Sequence, residues 1–251
     1  GLELRYLYGS RRAWLAPSIS TSNVDWMRLL AVAGNVNAPR DIAARAGLSA
    51  NEQSRIQSLL HLDEAAWCRQ LSLQDADTFI KTLLENPAAK EVLLNAVAVK
   101  REAALTYLRQ EGLLDGSNWA LVDAGWSLNG QAALQRILSA SMRPSPPVQG
   151  YYIGLARDHL PADRAGKAYD FCRPAGNIFS RRRVVVEHCF LPASHASTRG
   201  YLLQEGVAEP DFSPEPRHSA ELEYALHLHT AAVAAAKQLK QQPSMQDRIR
   251  T

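Results

Sequence analysis

Hydrophobic and polar positions follow a helical period through most of the first half of the chain. Helical patterns are found in 24–31, 41–46, 50–60, 63–71, 73–85 and 88–110. Ser49 is followed by Glu52 at the spacing of a capping box, while Gly47 and Gly112 are suited to end the helices before them. The segment 23–112 is therefore predicted to be helical with short turns.

Short apolar and aromatic runs predict strands outside this helical segment. The runs are 4–8, 119–123, 148–155 and 200–203. The residues after Asp123 predict a turn and then a helix to about Ser141. A strand, a helix and a strand joined by one short crossover favour a right-handed parallel βαβ unit.

The remaining segments carry mixed patterns. Segment 158–176 predicts an exposed loop, 177–190 suits either a helix or a strand, and 209–216, with its three prolines, predicts a loop. The pattern of Ser219–Gln241 is amphipathic and has acidic residues near its start, so it predicts a long C-terminal helix.

Together these elements predict an α/β fold, with a Rossmann-like parallel sheet, a large and mostly helical insertion, and a long C-terminal helix. The α/β core would comprise 1–20 and 116–241, the cap-like insertion 21–115, and a flexible tail the polar residues 242–251. An insertion of this size between two strands is typical of a cap over a site or of an interaction surface.

Composition and charge narrow the functional classes. The 251 residues are 46% hydrophobic, which is enough for a sizeable core. Lys and Arg number 28 against 25 Asp and Glu, so the net charge of +3 gives no support for a nucleic-acid or membrane-surface partner. There is no uninterrupted apolar run of about 18 residues, and no membrane span is expected.

The three cysteines favour a reducing compartment. Cys68, Cys172 and Cys189 are far apart and odd in number, and their spacing does not match a zinc site. They are typical of ordinary buried thiols, so we expect a cytoplasmic location and no metal held by cysteine.

Asp123 and the turn after it form the main candidate site. Ligands of open α/β sheets bind beyond the carboxyl ends of strands, where Asp123 is expected to be the catalytic residue. Gly125 and Gly130 would expose backbone N–H groups to a phosphate, and Ser127 and Asn129 add a hydroxyl and an amide. In the alternative interpretation, Asp123 caps the loop and the glycines serve the tight turn.

Known motifs do not match this turn. It lacks the Gly-Lys-Ser/Thr of a Walker A loop and the G-x-G-x-x-G dinucleotide fingerprint. The residues Gly125-Trp126-Ser127 are similar to a nucleophile elbow, but Asn129 stands where that motif needs its last glycine, which disfavours a serine hydrolase.

Basic and titratable residues elsewhere supply further candidates. Ser10, Arg11 and Arg12 follow the first predicted strand, and the arginines are suited to hold a phosphate or carboxylate, unless they are solvated residues at a helix start. The run 181–183 is three arginines, typical of a solvated face or of an anion site. Acid–base chemistry could come from Glu187, His188 and His195.

Segment 37–60 superficially suits a helix-turn-helix, with arginines near a glycine turn. The surrounding sequence is acidic rather than basic, including Asp63, Glu64, Asp75 and Asp77. Helical packing is therefore favoured over DNA binding for this segment, and a nucleic-acid partner is not expected.

Three segments in this order resemble a known family. They are 6–13, 121–126 with Gln131, and 150–155, and Glu187 with Gly200-Tyr201 forms a fourth similarity. They resemble the C-terminal half of bacterial haloacid-dehalogenase (HAD) superfamily hydrolase-like proteins associated with glycosyltransferases and surface-polysaccharide synthesis. The resemblance adds Gln131 and Glu187 to the ligand-binding candidates.

That family carries its catalytic HAD domain upstream, with an aspartate nucleophile and a second Asp two residues later. Here Gly125 occupies the second position after Asp123, and Leu128 replaces the glycine usual after the Trp-polar pair. The resemblance thus implies the companion domain and an upstream HAD domain as its partner; the start at Gly1 suggests a piece of a longer chain or a tag remnant. The strand-Asp-turn-helix layout is also similar, more weakly, to the phosphoribosyl-pyrophosphate loop of type I phosphoribosyltransferases.

The expected function is binding of a phosphorylated sugar or nucleotide. If the domain is catalytic, it would be a HAD-like hydrolase or a phosphoryl or phosphoribosyl transferase of polysaccharide biosynthesis, with Mg²⁺ as the candidate cofactor. The alternative is a non-catalytic scaffold or protein-interaction module that uses the helical insertion.

Overall fold

A computed structural model describes residues 3–20, 30, 37–141, 145–155, 167–170, 187, 193–214 and 219–240. These residues form a mixed fold of helices and strands, with eight α-helices, a three-stranded parallel sheet and a two-stranded antiparallel sheet. The broad α/β prediction is confirmed. The helix predicted at 24–31 lies, except for Leu30, outside the described residues.

The helices of the first half begin and end close to where the sequence pattern places them. They are α1 (Arg11–Leu15), followed by a 3₁₀ turn (Ala16–Ser18), α2 (Pro39–Arg45), α3 (Ala50–Leu59), α4 (Glu64–Cys68), α5 (Leu73–Glu85) and α6 (Pro87–Gln110). The predicted capping box is confirmed, because the Ser49 N–H donates to the Glu52 carboxylate at 2.7 Å and the Ser49 hydroxyl accepts from the Glu52 N–H. The left-handed φ of +83° at Gly47 and +81° at Gly112 marks both predicted helix ends.

The second half contains the sheets. Its elements are β1 (Leu121–Trp126), α7 (Asn129–Ser141), β2 (Gln149–Leu155), β3 (Lys167–Asp170), β4 (Thr198–Gln204), β5 (Val207–Phe212) and α8 (Ser219–Lys240). Strands β1, β2 and β3 lie side by side in that order and run parallel, while β4 and β5 form an antiparallel hairpin. The predicted parallel pairing of two strands across one helix is confirmed by β1, α7 and β2.

Residues 4–8 do not form the predicted strand. The Tyr8 N–H donates to the Tyr107 hydroxyl at 3.0 Å instead of joining a ladder. The rings of Tyr6 and Tyr8 pack edge to face at 5.0 Å, and Tyr8 packs against Phe212 of β5 at 5.6 Å. The aromatic pattern typical of a strand here reflects side-chain packing against α6 and the hairpin.

Two loop predictions are also wrong. Strand β3 lies within the predicted loop 158–176, and β5 overlaps the predicted loop 209–216. Pro210 is tolerated in β5 because the hairpin has two strands only, so each can leave one edge unpaired. The turn before β5 places Glu205 and Gly206 at φ of +49° and +82°, as a two-residue hairpin turn with the twist of its strands requires.

One hydrophobic cluster joins the two predicted regions. It includes Ile56 and Leu93 from the helical segment and Leu134 and Tyr201 from the α/β segment. Helix α6 contributes most to this shared core, since it contacts the 3₁₀ turn, the helices α3, α5 and α7, and the β4–β5 hairpin. The predicted tail 242–251 lies outside the described residues.

A buried hydrogen-bond network fixes the chain around α1. The Trp14 indole N–H donates to the Tyr201 hydroxyl at 2.7 Å, and that hydroxyl donates to the Tyr8 carbonyl at 2.9 Å. The Tyr107 and Tyr201 rings stack at 4.5 Å. This network ties the segment that carries Arg11 to α6 and β4.

Candidate functional site

Asp123 lies inside strand β1 rather than at its end. The strand continues for three residues beyond it, to Trp126, and Asp123 is paired in register with Tyr152 of β2. The side chain is exposed, and its Oδ1 accepts a hydrogen bond from the Ala124 N–H at 2.7 Å. The predicted carboxylate therefore lies on the parallel sheet, and three strand residues separate it from the turn.

The surroundings of Asp123 favour its protonated form. Protein atoms gathered around the exposed carboxylate displace part of its water and raise the pKa of Asp123, and the negative charge of Glu187 raises it further. The hydrogen bond from Ala124 acts in the opposite direction. A carboxylate with a raised pKa beside a second carboxylate is suited to take up a proton or a cation.

Glu187 is held beside the end of β1 by Trp126. The buried Trp126 indole N–H donates to Glu187 Oε1 at 2.5 Å, and Glu187 is exposed. Sequence reasoning missed Trp126 as the anchor, because no local pattern links two residues 61 positions apart. The structure thus places Glu187 at the end of the strand that carries Asp123, near enough for its charge to raise the pKa of Asp123.

Magnesium is the candidate cofactor, and carboxylates are the protein ligands that such a site needs. No cluster of three or more His, Cys, Asp or Glu side chains suited to a metal is found among the described residues. Mg²⁺ keeps several waters and is commonly bound by one or two carboxylates together with substrate phosphates. Asp123 and Glu187 are donors of that class, so a magnesium site here stays a prediction, whereas a zinc or calcium site would need more protein ligands.

The turn after β1 consists of Ser127 and Leu128, and α7 begins at Asn129. The Ala132 N–H donates to the Leu128 carbonyl at 2.9 Å, which opens the hydrogen-bond series of the helix. The amides of Asn129 and Gly130 come before that bond, so they have no acceptor within the helix and are suited to an anion.

Leu128 adopts a left-handed φ of +60° although it is a buried leucine. This backbone region favours glycine, and a bulky residue adopts it at a cost of about 1–2 kcal/mol. The turn between β1 and α7 therefore has the backbone shape that a glycine there would adopt.

Gly125 has a different role from the one predicted. It lies in β1 at a φ of +123°, and a Cβ there would meet the Gly154 carbonyl oxygen at 2.0 Å. Gly125 thus permits the close approach of β1 and β2 and is not part of the turn. Gly130 does lie at the start of α7, where a Cβ would contact the Trp14 ring at an ordinary 3.7 Å.

Gln131 is buried, and its amide is used within the core. Its Nε2 donates to the Val148 carbonyl at 3.3 Å, and its Oε1 accepts from the Tyr152 hydroxyl at 2.5 Å. Gly150 leaves room for this contact, because a Cβ there would lie 2.3 Å from Gln131 Oε1. These contacts make Gln131 a residue that joins α7 to β2 rather than a ligand contact.

Ser10 caps helix α1. Its hydroxyl accepts from the Ala13 N–H at 3.0 Å and donates to the Thr198 carbonyl at 2.6 Å. These bonds give Ser10 a structural role, and its ligand-binding role stays a prediction.

Arg11 and Arg12 are exposed in the first turn of α1. Helix α1 packs against α7, and Trp14 lies beside Gly130 at the start of that helix. Arg11 precedes Trp14 by three residues and so shares its side of the helix. The packing brings helix α1 to the start of α7, and an Arg11 guanidinium at the α7 N-terminus stays a prediction.

Of the other titratable candidates, His195 has its own set of partners and the rest lie outside the described residues. His195 belongs to an aromatic cluster with Tyr6, Tyr8 and Phe212, where its Nε2 is 2.7 Å from the Tyr6 hydroxyl and its Nδ1 is 2.8 Å from the Ala196 carbonyl. His188 and 181–183 lie outside the described residues.

The predicted helix-turn-helix segment is used for helix packing. Helix α3 contacts α6, and its residues Asn51, Glu52 and Arg55 share a shallow polar depression with Glu91. The mixed charge of this surface gives no basic stripe for a phosphate backbone.

No helix among the described residues is both long and apolar enough to cross a membrane. A comparison of the sequence with protein-family models and with curated proteins finds no match.

Proposed function

We propose that this chain is a Rossmann-like domain that binds a small phosphorylated ligand, a sugar phosphate or a nucleotide, at the turn between β1 and α7. The observation that supports the proposal is the hydrogen bond by which Trp126 holds Glu187 at the end of β1, the strand that carries Asp123 and leads directly into the α7 N-terminus. Carboxylates on and beside a strand, followed by the free amides of a helix N-terminus, would combine cation and anion sites.

A phosphate could bind beside the two carboxylates only if a cation lay between them. Asp123 and Glu187 repel a phosphate, whereas the amides of Asn129 and Gly130 and the Arg11 guanidinium attract it. A divalent cation would reconcile these preferences, with Asp123 and Glu187 holding Mg²⁺ and the helix amides holding the phosphate. Ser127 and Asn129 side chains would add a hydroxyl and an amide to the same ligand.

Asp123 would have the chemical role, if the bound ligand reacts. The raised pKa of Asp123 suits it to accept and release a proton on a ligand hydroxyl or on an attacking water. When bound, Mg²⁺ would supply charge neutralisation at the phosphate. Asp123 does not match a HAD-type aspartyl nucleophile pair, because Gly125 follows where a second aspartate would be needed. In the wider proposal the domain accompanies an upstream HAD domain in cytoplasmic polysaccharide synthesis.

A thermal-shift panel tests this proposal. Glucose 1-phosphate, ADP, UDP and phosphoribosyl pyrophosphate are each added with Mg²⁺ and with EDTA. We expect at least one ligand to raise the Tm in the presence of Mg²⁺ and to lose that effect with EDTA, since a ligand that binds only the folded state stabilises it. No shift with any member would contradict the proposal and favour the scaffold alternative.

A further inference from the structure

Helix α8 has an inner and an outer side. It has 22 residues, which corresponds to a length of about 33 Å. On its inner side Ala225 is only 2% exposed, with Leu222 and Leu228 half-buried. On its outer side Leu226 is 65% exposed and Val233 is 53% exposed. The outer apolar residues are therefore not covered by any part of the chain that the structure describes.

The outer side carries a regular stripe. The residues are Glu223, Leu226, Thr230, Val233 and Lys237, and all five are exposed. Their intervals alternate between three and four residues, which is the spacing of a helix-pairing seam. A shallow, open depression that includes Thr230, Val233 and Lys237 follows the same side. We refer to these five residues as the outer stripe.

The charges along the outer stripe indicate which binding partner would fit it. Glu223 and Lys237 lie seven residues before and after Thr230, so the two ends have opposite charges about a central residue. We propose that the outer stripe binds a second copy of this chain, with the two α8 helices antiparallel and a two-fold axis near Thr230. Glu223 then faces Lys237 of the partner subunit, and Leu226 faces the partner's Val233, each contact occurring twice.

A parallel pair is disfavoured by the same charges. It would place Glu223 opposite the partner's Glu223 and Lys237 opposite the partner's Lys237, and like charges at these positions repel. Alanines beside the stripe, including Ala231 and Ala234, are exposed and small, so they allow two helices to approach closely. An isologous two-fold contact of this kind is the commonest form of protein self-association.

The test is a charge exchange in the full 251-residue chain, measured by sedimentation equilibrium at increasing concentration. Glu223→Lys and Lys237→Glu each convert two attractive contacts into repulsive ones, so each should weaken the dimer roughly tenfold or more. The double variant restores opposite charges and should recover the wild-type dimer. Leu226→Gln with Val233→Gln should leave a monomer.

Glu91→Lys is the matched control. Glu91 is exposed and is the fifth residue of α6, as Glu223 is the fifth residue of α8. It should leave the association constant unchanged, and far-UV circular dichroism should show the same helix content in every variant. A wild-type monomer at all concentrations, or a double variant as weak as the single ones, would overturn the antiparallel dimer.

Discussion

Gly125→Ala is expected to destabilise the fold by about 3–6 kcal/mol, a large part of the stability of an ordinary domain. The added Cβ would lie 2.0 Å from the Gly154 carbonyl oxygen, which is backbone and cannot rotate away. Separating β1 from β2 would relieve the clash only by breaking their pairing. The φ of +123° adds conformational strain, because side chains rarely adopt it. Urea unfolding measures the loss.

Gly116→Ala separates the effect of the steric clash from the effect of backbone strain. Gly116 also has a left-handed φ, of +84°, but a Cβ there meets nothing within 4 Å. We expect a loss of only about 1 kcal/mol from strain alone. Equal losses in the two variants would show that the approach of β1 to β2 is not close enough to exclude a side chain.

Asp123→Asn is expected to weaken Mg²⁺-dependent ligand binding by at least about tenfold, because it removes a charged contact to the cation. The fold should persist, since Asp123 is exposed and its described hydrogen bond is to the adjacent Ala124 amide. Isothermal titration with the ligand identified in the panel, in Mg²⁺ and in EDTA, measures the change.

The same variant has a predicted pH signature. Because the pKa of Asp123 is raised in the folded protein, the folded state holds the proton more tightly than the unfolded chain. The stability that Asp123 contributes is thus present at low pH and is lost as the pH rises from the ordinary aspartate pKa to the raised value. Asparagine does not ionise, so the Asp123→Asn variant does not lose stability over this pH range. Without ligand, its Tm should be higher than that of the wild type at neutral pH, and the two Tm values should be equal in acid.

Glu209→Gln is the control for charge. Glu209 is exposed on β5, and this change removes the same charge from the β4–β5 hairpin. It should alter neither ligand binding nor the dependence on Mg²⁺. Glu187→Gln keeps an oxygen that can accept from Trp126 but removes the charge, so it should weaken Mg²⁺-dependent binding while the fold persists.

Helices were predictable because their determinants are local. The Ser49–Glu52 capping box lies within four consecutive residues, and the positive φ of Gly47 and Gly112 needs only a glycine. These features act within one turn of the chain, so the sequence pattern contains the whole cause. The bounds of α5 agree with prediction for the same reason.

Strands were harder because pairing depends on distant residues. Tyr6 and Tyr8 have strand-forming side chains, but their rings pack on His195 and Phe212 from the other end of the chain. The β4–β5 hairpin depends on the backbone angles of Glu205 and Gly206. A glycine in a two-residue turn between apolar runs is the signal that could have identified it, and Pro210 obscured that signal.

The candidate site was predictable only in part. A strand that leads through a short turn into a helix located Asp123, Asn129 and Gly130 near one another. The core contacts of Gln131 and the anchoring of Glu187 by Trp126 depend on tertiary packing, which spacing along the chain does not contain.

The most direct test of the proposed site is the response of assigned backbone amide resonances in the ¹⁵N-labelled protein to glucose 1-phosphate or ADP with Mg²⁺. We expect the largest shifts at Asn129 and Gly130, with smaller changes at Asp123, and we expect EDTA to reverse them. Largest shifts in the depression between α3 and α6, or no shift at Asn129 and Gly130 with a ligand that stabilises the protein, would contradict the proposed site.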